Sequence, residues 1–357
     1  MLMPLVALAC VLTGSAITVN PAEMQQNDPA VAATLPLAPT SAPGINPLTG
    51  LAVDDPTVLE RRPLVVKISN APPIVRPQSG IGAADMVFEH YVEGGLTRFS
   101  AIFYSQAPRR VGSIRSARLI DDTLVPMFQG LFGYSGASNG VLAIINASTY
   151  FERTYKGVLY GYPYFWRDET LDAPHNLFMS AEAVFDMAAE EGFAQRPDLR
   201  GLSFDANPPA GATNAAHMMD IRYKATWVTW IYNAERGQYM RYSDSLIHVD
   251  ANTGAQIAAD NVVILYAEHR LSEIAESEWQ GSISYGTEIA LWGEGDAVIF
   301  RDGQQYAARW LHPEREQMLQ IVSPEGAPFA LRPGSTWFQL FPIHEQQDPA
   351  EESINIG

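Results

Sequence analysis

Cysteine is nearly absent from this chain: its 357 residues include one, Cys10. With no partner, it cannot close an intramolecular disulfide, so a disulfide framework is excluded. Lysine is almost as scarce. Of 23 cationic residues only Lys67, Lys156 and Lys224 are lysines. The others are arginines, whose planar fork suits bidentate contacts to carboxylate or phosphate. The chain also lacks a G-x-G-x-x-G, a P-loop and a G-x-S-x-G, so neither a nucleotide cofactor nor a serine elbow is supported. Its seven histidines, at 90, 175, 217, 248, 269, 312 and 344, are scattered, with no H-x-x-x-H pair and no cysteine ligand. No metal and no cofactor are therefore expected.

Positive charge is in deficit, with 40 acidic residues against 23 basic and a formal net charge of −17. No nucleic-acid partner is expected, because phosphate contact needs net positive surface. A hydrophobic fraction of 47% with 18% charged residues describes a globule with a large core, and the length suits two domains.

One absence is local. Residues 94–120, "GGLTRFSAIFYSQAPRRVGSIRSARLI", hold five arginines and no acid.

Residues 1–19 are nearly all apolar, too short for a membrane helix and suited to a signal-peptide core. Within them "LAC" resembles the lipobox at which bacterial lipoproteins are cleaved before an acylated cysteine, with Ala7 where leucine is usual. Lipidation at Cys10 is the expectation, and secretion after Ala16 the alternative. Residues 20–50, rich in Pro, Ala and Thr, are expected to be a disordered tether.

"PLVVKIS" at 63–69 is a short apolar strand. "DMVFEHYVEGGLTRFSAIFYS" places two period-2 runs around Gly94-Gly95, the pattern of a two-residue hairpin turn. With Glu93 opposite Leu96, the core side is Met86, Phe88 and His90 against Phe103, Ala101 and Phe99. Arg98 then lies opposite Tyr91 and diagonal to Glu89 and Glu93. "SIRSARLIDDTLVPMFQGL" (113–131) is expected to be a helix with Arg115 and Arg118 near its start, where exposed amides and two guanidiniums make an anion pocket. "LFGYSG" and "VLAIINAS" follow as two buried strands, or as a strand and a helix start. "SAEAVFDMAAEEGF" (180–193) is a helix capped by Ser180 and ended by Gly192. Past a Pro/Gly/Asn-rich seam near 200–216 the pattern is β-dominated, with Asp302-Gly303 as a hairpin turn. The fold class expected is α+β: an N-terminal mixed α/β domain at 51–208, then a smaller, mostly antiparallel β domain at 216–344. Residues 345–357 are an acidic tail that frays.

Five motifs, "RPQSG", "VEGGLTRF", "GSIRSAR", "FWRD" and "APHNLF", stand in an order and at spacings that resemble the YerB-like family of bacterial lipoproteins. The likeness spans about residues 46–342 and takes in "NVVILY" and "RPGSTWF". It implies an extracytoplasmic anchor and two domains, and no established reaction. Ser113 stands where the family usually has proline, which leaves the arginines untouched.

The candidate ligand-binding residues are Arg76, Gln78, Glu89, Glu93, Arg98, Arg115, Arg118 and Arg167. Glu89 and Glu93, four positions apart on one strand, stand about 13 Å apart at 3.3 Å per residue. That exceeds the roughly 5–9.5 Å of a glycosidase pair. "FWRDETLDAPHNLF" offers Asp168, His175 and Asn176 as catalytic candidates, with His175 as base and Arg167 beside a developing oxyanion. Alternatively, His175 and Asn176 simply tie the loop to the next helix. Arg109 and Arg110 belong to a solvated loop. The expectation is thus an exported, lipid-anchored protein of the cell envelope that binds an anionic or polar ligand in an arginine-lined cleft. An envelope hydrolase and an adaptor for another exported protein are the alternatives.

Overall fold

The computed structural model describes residues 42–357. The leader, Cys10 and most of the tether lie outside the described residues. The chain enters the core before residue 50, since Leu48 is fully buried and Asn46 Nδ2 donates to Asp85 Oδ1 at 2.7 Å.

Three strands near the start of the fold position the candidate site: β1 (Leu64–Ser69), β2 (Met86–Tyr91) and β3 (Thr97–Phe103). All three are buried along their whole length. Alternate residues supply two different cores. Val65, Met86, Phe88 and Ile102 face one, which also holds Leu124, Val125, Val141 and Ile145. Val66, Ile68, Val87, Phe99 and Ala101 face the other, shared with Met219, Ile221, Val228 and Trp230. A strand buried on both faces is continuously apolar, as "LVVKIS" is.

Among the described residues these strands belong to one twelve-stranded mixed sheet. It is continuous between the two halves of the chain, because Met86–Tyr91 pairs in parallel with Thr336–Pro342, and that strand with Asn261–Trp279. The β-rich half continues antiparallel through Gly293–Arg301 and Gln304–His312, joined by Asp302-Gly303 with φ of 55° and 71°. A second sheet of six strands includes Met218–Tyr223, Thr226–Asn233 and Gln238–Ser243. Helices are few: α1 (Asp121–Met127), α2 (Asn139–Ala147) and α3 (Ala181–Glu190), the last capped by Ser180 as its sequence pattern requires. The fold class is α+β.

Three sequence expectations need correction. The β2–β3 connection is a three-residue turn, Glu93–Gly95, with Val92 N donating to Leu96 O at 2.8 Å. This shifts the register by one, so His90 faces Arg98 and Glu89 faces Phe99. Such a slip moves every side chain to the other face. The helix expected over 113–131 begins only at Asp121. Residues 113–117 are instead laced to their neighbours: Ser69 N donates to Ser113 O, Arg115 N to Lys67 O, and Ala117 N to Gly136 O. The tail is also ordered. Ser353–Ile356 pairs with Met218–Tyr223, and Glu352 accepts from the Tyr91 hydroxyl at 2.5 Å.

Candidate functional site

On the face of β1–β3 that carries Phe88, four polar side chains are sealed from solvent: Lys67, His90, Ser100 and Asp121. Lys67 Nζ reaches Asp121 Oδ1 at 2.6 Å, Ser100 Oγ at 2.6 Å and His90 Nε2 at 2.8 Å. Burial pulls Lys67 down to about 8, against the pull of Asp121. Burial and then the Lys67 charge hold His90 well below the ordinary histidine value. Asp121 also accepts from Arg118 N at 2.7 Å, so this closed network pins the start of the next layer. Nothing local in the sequence marks these four residues as a group.

In that layer lie Arg98, Arg115 and Arg118. Arg98 is 9% exposed and donates to Ser116 O at 3.0 Å; no carboxylate among the described residues pairs with it. Burial first, then Arg118, lowers it to about 9, while Glu93 acts in the opposite direction. Arg118 grips both oxygens of Glu93, one at 2.7 Å from Nη2. Arg115 is half-buried, and its Nε is shielded from solvent without a hydrogen-bond partner. Ser113 Oγ and His175 Nδ1 are in the same condition. Burial and then the nearby Arg115 charge lower the His175 value, while Asp172 acts in the opposite direction. Facing the arginines is Glu276, its side chain 1% exposed and 3.5 Å from Arg118 Nη1. Neither Glu276 oxygen has a hydrogen-bond partner, and its value is raised by burial; the Ser138 hydroxyl pulls it down without achieving bonding geometry.

The arrangement therefore combines three guanidiniums, two carboxylates and several unspent donors. A buried polar group without a partner costs about 1–3 kcal/mol, more if charged. Its position beside the laced segment 113–117 is not a helix start, because α1 begins after Arg118.

The other candidates stand elsewhere. Arg76, Gln78 and Glu89 belong to a second buried network, reached from the opposite face of β2. Glu89 Oε2 accepts from Arg241 Nη2 at 2.8 Å, Arg241 meets His248 Nδ1 at 2.6 Å, and His248 Nε2 meets Gln78 Oε1 at 2.6 Å. Arg76 pairs with Asp244 and donates to Asn70. Arg167 Nη1 donates to Asn176 Oδ1 at 2.7 Å, so the two side chains are held together. Asp168 is bonded to Thr170 and, at 2.6 Å, to Arg110, which together hold it down at about 2. It does not orient His175. Arg110 is not a free loop residue either, since its guanidinium lies 3.7 Å over the Phe178 ring. Two cavities, of about 350 and 430 Å³, are lined by other residues, around Trp227 and Trp292 respectively.

This α+β chain, in which one mixed sheet runs between the two halves, is matched by two family models. That for the Protein of unknown function (DUF3048) N-terminal domain matches residues 48–194, and that for its C-terminal domain residues 219–338; the chain belongs to this family. It is 30% identical over 302 residues to "Putative lipoprotein YerB" of Bacillus subtilis (strain 168), across 83% of this chain and 86% of that protein. The crystal structure of the YerB protein from Bacillus subtilis is similar, with a TM-score of 0.69 and 30% identity. The likeness covers 87% of this chain and 99% of that one.

Proposed function

We propose that this chain is an exported envelope protein, lipid-anchored at Cys10, that binds an anionic group between Arg98, Arg115 and Arg118. The anchor rests on the "LAC" stretch and on the name of the Bacillus subtilis relative. The anion site rests chiefly on one observation. Among the described residues Arg98 has no carboxylate partner, and Arg115 stands near enough for its charge to act on both Arg98 and His175. Arg115 Nε, Ser113 Oγ and His175 Nδ1 are shielded from solvent with no hydrogen-bond partner. An oxyanion supplies what these donors lack, and bidentate guanidinium geometry favours phosphate or carboxylate.

A hydrolase centred on His175 has less support, because Asp168 and Asn176 are committed to Arg110 and Arg167. The test is thermal unfolding of the mature chain with inorganic phosphate, beside Arg115→Ala. At a hundred times its dissociation constant a ligand stabilises by about 2.7 kcal/mol. The expected result is a shift for the wild type that Arg115→Ala, which breaks no ion pair, loses. Equal shifts in both proteins would refute the site.

A further inference from the structure

The strand Asn261–Trp279 leaves the large sheet midway. Up to Ala267 it pairs with Thr336–Pro342, and from Glu268 onward, among the described residues, only with Ser282–Ala290. The result is a two-stranded arm. Its register slips between Leu271 and Ala275 and again between Ala275 and Ser277, the irregularity of a β-bulge, which re-aims side chains. Two of the re-aimed residues face inward. Ile274 packs on the core beside α2, where a Cβ on Gly140 would sit 2.6 Å from it. Glu276 crosses the opposite strand at Gly286, where a Cβ would lie 3.2 Å from its Oε1, and ends beside Arg118. The turn Glu93–Gly95 packs against Ser282–Ala290. The arm carries Glu268, Glu273, Glu276, Glu278 and Glu288 against a single Arg270.

We infer that Glu276 is a tethered occupant of the arginine site and that the arm is a strap which an incoming anion displaces. This rests on the anion-binding reading above. Glu276 neutralises the guanidiniums by proximity alone, because neither oxygen accepts a hydrogen bond. An anion that reaches Arg115 Nε and Ser113 Oγ gains both charge and hydrogen bonds, so it outcompetes the tethered carboxylate. The strap is light enough to yield, since a two-stranded ribbon has marginal stability by itself.

Phosphate titrations of the mature wild type, Glu276→Gln and Ile274→Ser test the inference. Glu276→Gln keeps the shape and removes the competing charge; Ile274→Ser loosens the anchor without touching any charge. Glu276→Gln is expected to bind phosphate about tenfold more tightly than wild type, as removal of a like charge within a few ångströms demands. Ile274→Ser is expected to bind it more tightly as well, because the loosened strap is displaced at lower cost. Amide exchange in residues 268–290 of the wild type is expected to speed up when phosphate binds. Equal affinities with unchanged exchange would overturn the strap while leaving the arginine site standing. If wild type and both variants all fail to bind phosphate, the arginine site itself falls, and the strap with it.

Discussion

Glu89 and Arg241 meet at 2.8 Å with neither side chain exposed, and the guanidinium stands 4.9 Å from the centre of the Trp337 ring. Further bonds from Asn70 and Gln339 reach the Glu89 carboxylate. Such a pair is weak evidence for net stability, but breaking it leaves an uncompensated buried charge. Arg241→Met is therefore expected to cost about 3–5 kcal/mol in urea unfolding, and the double variant Glu89→Gln/Arg241→Met to recover most of that loss. A double variant as unstable as the single one would show that the residues act separately. From the local sequence, Glu89 belongs to Arg98, its cross-strand neighbour in the simplest hairpin. Its true partner stands 152 positions away, and no short-range pattern encodes it. The same holds for Glu276 and Arg118. By contrast, the acid-free arginine stretch was legible, because clustered charge is visible without knowing the fold.

At the scale of elements, those with local determinants were legible and those stitched together by distant strands were not. α3 follows from its Ser180 cap, its apolar spacing and Gly192, all within its own sequence. The Asp302-Gly303 turn follows from the residue types that tolerate positive φ. Residues 113–117 look helical by spacing, yet hydrogen bonds to Lys67, Ser69 and Gly136 tie them to neighbouring segments, and tertiary pairing overrides propensity. The β2–β3 turn differs for a related reason: Glu93 leaves the strand to meet Arg118, which adds one residue to the turn. Two of the positive-φ glycines, Gly192 and Gly303, give a graded prediction. Gly192→Ala meets open space at φ +84° and is expected to cost about 1 kcal/mol from backbone strain alone. Gly303→Ala, at φ +71°, also drives a methyl to 2.8 Å from the Tyr232 ring and is expected to cost more, about 2 kcal/mol or above. Thermal unfolding of the two variants decides; a larger loss at Gly192 would contradict the close approach at Tyr232.

Across the whole molecule, one consequence of burying a two-sided sheet is that histidines are enclosed along with it. His90 and His248 are held well below the ordinary value of 6.5, His269 falls to about 4, and His312 is lowered as well. Burial is the first cause in every case, and for His248 the Arg241 charge adds to it. The sign follows from proton counting. Below pH 6.5 the unfolded chain binds protons at these rings while the folded chain does not, so acid favours unfolding. Stability is expected to hold near pH 7.5 and to fall as pH drops from about 6.5 towards 5.5. Each fully excluded ring contributes up to about 1.4 kcal/mol per pH unit. Asp85, Asp260 and Glu276, raised by burial, oppose this slope. A single replacement isolates one histidine's share. In His312→Asn the amide can take over the Nδ1 bond to Leu291 O, now 2.8 Å, while the titrating ring is gone. Urea unfolding at pH 7.5, 6.5 and 5.5 should show a shallower decline for this variant than for the wild type. Parallel declines would mean that His312 is protonated in the folded protein after all.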